Sequence, residues 1–281
     1  MLKPLASREP HDLIDAAEQI APELIGQDWS PLFGGRTNQS WRVGTAVVKS
    51  YCADASSPLF PNDPSAEARA LIALSGTGLG PDLISTGPML VVYRHVDGQT
   101  GTATPFAVGA MLSRLHRLNL DPDLAFRQAP MGADLKRHAL LIAGEAVEDL
   151  PPCPNVPDLR PASKSLIHGD AVAGNIIDAA GTPVLIDWQC PAWGDPVEDI
   201  AAYLSPAMQW LYGGVALTAS DRDAFFAGYN CDVTKARYLA LAPILHWRIA
   251  AHCQWKSRRG FTDYDRAVGL EINGLSDVQT M

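Results

Sequence analysis

The stretch Leu166-Ile167-His168-Gly169-Asp170-Ala171-Val172-Ala173-Gly174-Asn175-Ile176-Ile177, followed by Val184-Leu185-Ile186-Asp187-Trp188, decides how this chain reads. An Asp and an Asn five apart on a loop can point into one small volume. A second Asp closes an apolar run of the kind that is buried on both faces. Hard divalent cations take oxygen ligands, and magnesium uses one or two protein oxygens while keeping waters and phosphate oxygens. A carboxylate plus an amide supplies that pair. The remaining carboxylate can accept a proton from an attacking hydroxyl. Metal, positioning and a hydroxyl-orienting base are the requirements of phosphoryl transfer. Taken singly, an Asp-x-x-x-x-Asn pair most often caps turns. The His-Gly-Asp start and the later Ile-Asp-Trp are what separate this stretch from that plainer reading.

Upstream of it lies a β-rich region. Leu32-Phe33 runs into Gly34-Gly35. Then Ser40 to Val43 and Ala46 to Lys49, joined at Gly44-Thr45, read as a hairpin. Before it, His11 to Leu24 carries apolar residues at helical spacing. Ser65 reads as the N-cap of an alanine-rich helix through Glu67 to about Leu74. Short strands are expected at Leu83-Ile84 and Met89 to Tyr93. After Asp97-Gly98 the pattern turns helical, with helices at Phe106 to Leu118 and Lys136 to Glu148. Pro151 to Pro161 is a proline-dense loop. Residues 166–187 are β-like again. The chain is mostly helical from Asp195, with a strongly apolar helix from Tyr238 to about Trp255. The expected organisation is therefore α+β: residues 1–97 as a small β-rich lobe with one key helix, and residues 98–281 as a larger helical lobe.

Composition narrows the function. The chain has 281 residues, 47% apolar and 19% charged, as in ordinary globular proteins. Its net charge of -9 argues against a nucleic-acid binder. The five cysteines, Cys52, Cys153, Cys190, Cys231 and Cys253, include no C-x-x-C pair. Neither a disulfide framework nor zinc is indicated, and reduced thiols in a cytoplasmic protein fit best. Met1-Leu2-Lys3-Pro4 opens onto no apolar run, so no signal peptide is expected. No run of about 18 apolar residues predicts a membrane span. No G-x-x-x-x-G-K-[ST] occurs, which excludes a P-loop enzyme.

His168-Gly169-Asp170 with Asn175, then Ile186-Asp187-Trp188, resembles the aminoglycoside phosphotransferase and choline kinase superfamily. The likeness continues upstream. Gly34-Gly35-Arg36-Thr37-Asn38-Gln39-Ser40-Trp41-Arg42-Val43 looks like the phosphate-covering loop of the choline kinase-like branch. Val48-Lys49 looks like its third-strand lysine, and Glu67 like the helical partner of that lysine. Leu115-His116 and Gly194 to Ala201 also fit, so the resemblance spans about residues 30 to 205.

The resemblance implies a protein-kinase-like two-lobed fold and the cofactors ATP and Mg2+. By carry-over, Asp170 would deprotonate the substrate hydroxyl, and Asn175 and Asp187 would bind magnesium. Lys49, held by Glu67, would neutralise phosphate oxygens. The backbone of Gly35, Arg36, Thr37 and Asn38 would cover the phosphates. Adenine would lie against the connector, at Val92, Arg94 and Val96, with a hinge near residues 94–98. His168 and Asp199 would have structural roles.

The sequence departs from its relatives in places. Its two loop glycines are adjacent, Gln189 stands where many relatives carry Glu, and Ala171-Val172-Ala173 is less polar than usual. The loop has no Lys two residues after Asp170, which points to a small-molecule acceptor over a protein. Aromatic residues (Trp188, Trp193, Tyr203, Trp210, Tyr212, Trp247 and Trp255) are plentiful in the second half and would suit a cationic amine, although Trp247 reads equally as core. From residue 190 on there are 10 Asp/Glu and 8 Lys/Arg, a net of -2. That weak acidity favours a choline-, ethanolamine- or thiamine-like alcohol over an aminoglycoside or amino sugar. A pseudokinase that binds nucleotide without turnover is the rival from another class. The sequence gives no oligomeric state and no preference between ATP and GTP.

Overall fold

Pro10–Ile20 (α1) precedes three consecutive antiparallel strands, Trp29–Leu32 (β1), Gln39–Val43 (β2) and Ala46–Ser50 (β3). The computed structural model describes residues 10–160, 162–213 and 216–278. Met1 to Pro4 and Pro161, both read above, lie outside them. The expected hairpin forms, with Val43 opposite Ala46 across the turn. Pro64–Ala73 (α2) follows, then Leu83–Gly87 (β4) and Leu90–Arg94 (β5). The five strands make one antiparallel sheet in the order β1-β2-β3-β5-β4.

Alternation along β3 sorts the side chains onto two faces. Ala46 and Val48 join Val92 and Leu90 in an apolar cluster with Leu13 and Ala17 of α1. Val47 and Val91 enter the main core with Ala70 and Leu71 of α2. The two helices thus cover opposite faces of the sheet. Val48 and Val92 stand opposite each other and are fully buried, contributing about 1.5–3 kcal/mol each.

Two expected helix ends are corrected. Asp63, not Ser65, caps α2: its Oδ1 accepts from the amides of Ser65 (2.8 Å) and Ala66 (3.2 Å). Pro64, which has no N–H to satisfy, takes the first helical position. The first helix stops at Ile20 because Pro22 opens a separate 3-10 turn, Pro22–Leu24.

Gln99–Thr100 (β6) leads into Pro105–His116 (α3), Arg127–Gln128 (β7) and Asp134–Ala143 (α4). The helix expected to reach Glu148 ends as an α-helix at Ala143. Gly144, at φ +51°, turns the chain into a 3-10 segment there. Ser165–Ile167 (β8), Ile176–Ala179 (β9), Thr182–Leu185 (β10) and Ala192–Gly194 (β11) supply the second β region. Together with β6 and β7 these strands form two three-stranded sheets, ordered β10-β9-β6 and β7-β11-β8.

The rest is helical: Val197–Leu204 (α5), Pro206–Tyr212 (α6), Ala219–Tyr229 (α7), Asp232–Ser257 (α8) and Asp263–Val278 (α9). Helix α8 begins six residues before the expected Tyr238, because its first turns are polar and carry no apolar period. No helix among the described residues is long and apolar enough to cross a membrane.

Candidate active site

Side-chain parity on β3 aims Lys49 at a cavity of about 700 Å³ between the five-stranded sheet and the helical part. Lys49 shares its face with Val47, and Tyr51 continues that face. The Lys49 Nζ donates to Glu67 Oε2 at 2.6 Å and also pairs with Asp187 Oδ1. Glu67 is fully buried on α2, and it also accepts from the Tyr51 hydroxyl and the Trp188 amide. Burial alone would push the Lys49 pKa down. The carboxylates of Asp187 and Glu67 outweigh it and hold that pKa well above the usual lysine value.

The loop after β8 carries Asp170 and Asn175. Asn175 Nδ2 donates to the Asp170 carbonyl (2.9 Å) and to Asp170 Oδ2 (3.1 Å). Gly169 makes the turn possible: its φ is +80°, and a Cβ there would lie 2.4 Å from the Cys190 carbonyl oxygen. His168 locks the same turn. Its Nε2 donates to the Ile186 carbonyl (3.0 Å), and its Nδ1 accepts from the Asp170 amide (3.2 Å). Burial lowers the His168 pKa, which keeps this neutral tautomer.

Asp199, in the first turn of α5, grips the loop from behind. Its two oxygens accept from the amides of His168 and Gly169, both at 2.8 Å, and one faces His116 Nε2 at 3.1 Å. Burial opposes its charge, but these donors prevail and its pKa is lowered. Asp199→Ala would strand the buried His168 amide, the half-buried Gly169 amide and His116. We expect a loss of about 3–5 kcal/mol, read as the shift of the urea unfolding midpoint.

Asp170 is buried, and its pKa is raised to about 8. Burial is the main cause and the nearby Asp187 carboxylate the second, with the Asn175 contact working against both. Asp187 sits at φ +65°, in the left-handed region that Asp tolerates better than most residues. This backbone turns its carboxylate toward Lys49 after the buried end of β10.

The donor set suits a hard divalent cation. Asn175 has committed its amide nitrogen to Asp170, which leaves the amide oxygen as a donor atom. Asp187 has one oxygen on Lys49, and its other oxygen has no hydrogen-bond partner among the described residues.

The structure brings Lys49, Glu67, Asp170, Asn175 and Asp187 together, and Gly35 to Asn38 line the same cavity. Val92 and Arg94 are elsewhere. In the β3–β5 register Val92 faces Val48 and Arg94 faces Ala46, so both belong to the α1 face of the sheet. Val92 is core, and Arg94 reaches Thr45 Oγ1 (3.1 Å) and Glu23 (3.8 Å) outside. The odd-numbered Tyr93 and His95 line the cavity instead, and so does Val96, beyond the strand's end. Of the seven aromatics expected at an acceptor site, only Tyr212 lines this cavity. Trp188 and Trp247 are fully buried core residues, and Trp193 and Tyr203 are nearly so.

One further contact has no signal in the sequence. Gln189 Oε1 accepts from Asn38 Nδ2 (2.7 Å), which in turn donates to Asn62 Oδ1 (2.8 Å), so the unusual Gln189 tethers the glycine loop. Tyr51 lies two residues beyond Lys49 on an extended chain, and that spacing could have found it.

A β-sheet with a covering loop, a lysine–glutamate pair and a carboxylate–amide loop on a helical base make up a protein-kinase-like fold. The chain belongs to the phosphotransferase enzyme family, whose pattern matches residues 28–242. Comparison with curated protein sequences gave no match. Among solved structures, the chain is similar to a choline/ethanolamine kinase family protein from Mesorhizobium loti. That match has 14% identity and a TM-score of 0.69, and covers 96% of this chain and 94% of that one. It is also similar to a choline kinase from Streptococcus pneumoniae, at 18% identity and TM-score 0.67, covering 95% and 99%. A spectinomycin phosphotransferase, solved with ADP and spectinomycin, aligns at 14% identity and TM-score 0.63, covering 94% and 98%.

Proposed function

We propose that the chain is a small-molecule kinase that moves the γ-phosphoryl group of ATP onto a hydroxyl. The observation that carries this reading is the convergence of Lys49, Asp187, Asp170 and Asn175 on one cavity under the glycine loop. Lys49, steered by Glu67, meets phosphate oxygens. Asp170 orients the acceptor hydroxyl and takes its proton as the oxygen attacks phosphorus. Asn175 and Asp187 would hold magnesium, which would supply positive charge to offset that of the phosphates. Residues 1–97 and 98–281 act as two lobes hinged near residues 94–98. Their closure excludes water from the phosphoryl group.

The acceptor in this reading is a small alcohol with a cationic group, of choline, ethanolamine or thiamine type. The cavity lining supports it: Asp170 and Asp187 are its only acidic residues among those described, beside the aromatic Tyr212. A polycationic aminoglycoside calls for a denser acidic groove.

The test is ADP release from magnesium-ATP across a panel of choline, ethanolamine, thiamine, homoserine, amino sugars and aminoglycosides. We expect turnover on a small amino alcohol. Turnover on kanamycin-class compounds alone would move the acceptor to the antibiotic class. ATP binding with no turnover on any acceptor would favour a pseudokinase.

A further inference from the structure

Arg36 leaves the glycine loop and crosses to the helical part of the molecule. Its Nη1 donates to Asp263 Oδ2 at 2.5 Å, on the first turn of α9, and its Nη2 to the Leu211 carbonyl at 3.4 Å. The guanidinium carbon lies 5.2 Å from the Tyr212 ring centre and 5.4 Å from that of Tyr264. Two aromatic faces and a carboxylate around one planar cation make a cation-binding bracket. Arg36 and Tyr212 line the same cavity as Asp170 and Asn175, while Tyr264 is buried behind the guanidinium. Tyr212 also packs against Gly174 of the catalytic loop, where a Cβ would lie 3.0 Å from its ring.

We infer that Tyr212, Tyr264 and Asp263 form a cation subsite which Arg36 fills from within, and that nucleotide phosphates draw Arg36 out of it. The inference rests on the kinase reading above. Arg36 sits in the loop assigned to the phosphates, and one guanidinium cannot serve both partners fully. Phosphate carries more charge than a carboxylate and accepts the guanidinium fork through two parallel hydrogen bonds. The Arg36–Asp263 pair is partly exposed, with side chains 24% and 38% accessible. Such a pair is a weak tie that phosphate can outcompete. Nucleotide then enters first, and the vacated bracket offers two ring faces and a carboxylate to the cationic group of the acceptor.

Calorimetric titration of ADP into the full chain tests this without knowledge of the acceptor. Asp263→Asn removes the competitor for Arg36 and is expected to tighten ADP about fivefold, the scale of one freed contact between partly exposed charges. Arg36→Ala is expected to weaken ADP. Adding Asp263→Asn to Arg36→Ala is expected to change nothing further. A merely structural ion pair would lower the melting temperature in every variant and leave ADP affinity alone. ADP affinity that is unchanged in Asp263→Asn, or tightened equally in the Arg36→Ala background, overturns the inference while leaving the kinase reading intact. A wild-type chain that takes up no ADP overturns both.

Discussion

Asp170→Asn is expected to bind nucleotide as the wild type does and to turn over about 10²–10⁴-fold more slowly, the usual contribution of a positioned base. Asn keeps the shape and the contact with Asn175 but cannot take the acceptor's proton. The same substitution is expected to stabilise the fold. In the unfolded chain this carboxyl ionises near its ordinary value of 3.8, whereas in the folded chain it keeps its proton to about 8. Between those values the folded state binds more protons than the unfolded one, so this group's contribution to stability falls as pH rises. The stabilisation by Asp170→Asn should therefore be absent below about pH 4 and largest above pH 8. Melting curves of both proteins across that range measure it. A variant that melts lower at pH 8 would contradict the buried-carboxylate account. Wild-type turnover should rise with pH through the Asp170 titration, since only the ionised carboxylate is a base. A divalent cation beside it would move that limb to lower pH.

Lys49→Met is the second large effect. Among the described residues, it removes the only cation paired with Glu67, which is fully buried, and leaves that carboxylate with the Tyr51 hydroxyl and the Trp188 amide. Breaking a buried pair from one side costs about 3–5 kcal/mol. Turnover should fall at least 10²-fold as well, because one electrostatic contact to the nucleotide phosphates is lost. The discriminating variant is the double substitution Lys49→Met with Glu67→Gln. Without the orphaned charge, it should regain most of the lost stability and none of the activity. Partners in contact are non-additive in this way, whereas two independent surface charges would add. Chemical denaturation of the four proteins, with ADP-release rates on each, separates the two outcomes.

The site was unevenly legible before the fold. Asp170, Asn175 and Asp187 sit within 18 residues at the two ends of one hairpin, β9–β10, so local spacing alone suggests a shared volume. Lys49 and Glu67 are 18 residues apart on different elements. Only the resemblance to a family suggested their pairing, and the structure brings them to 2.6 Å. Sequence places Val92 and Arg94 beside the connector without saying which way they face. Pairing of β5 with β3 fixes that, since a shift of one residue exchanges the two faces of a sheet. The aromatic residues are ambiguous for a related reason. A tryptophan in an apolar stretch looks the same whether its ring fills a core or lines a cleft, and here Trp188 fills the core, as does Trp247, which the sequence reads equally that way.

By itself the sequence determined the α+β order of elements, the hairpin around Gly44, and the polar constellation of the Asp170 loop. These depend on periodicity, turn chemistry and spacing within a few residues, all of which act locally along the chain. Only the tertiary structure decided which strand face meets the cavity, that Asp199 holds the amides of His168 and Gly169, and that Arg36 reaches Asp263 across 227 residues. Those contacts join side chains from distant segments. Their partners are set by packing of the whole chain, which no local pattern encodes.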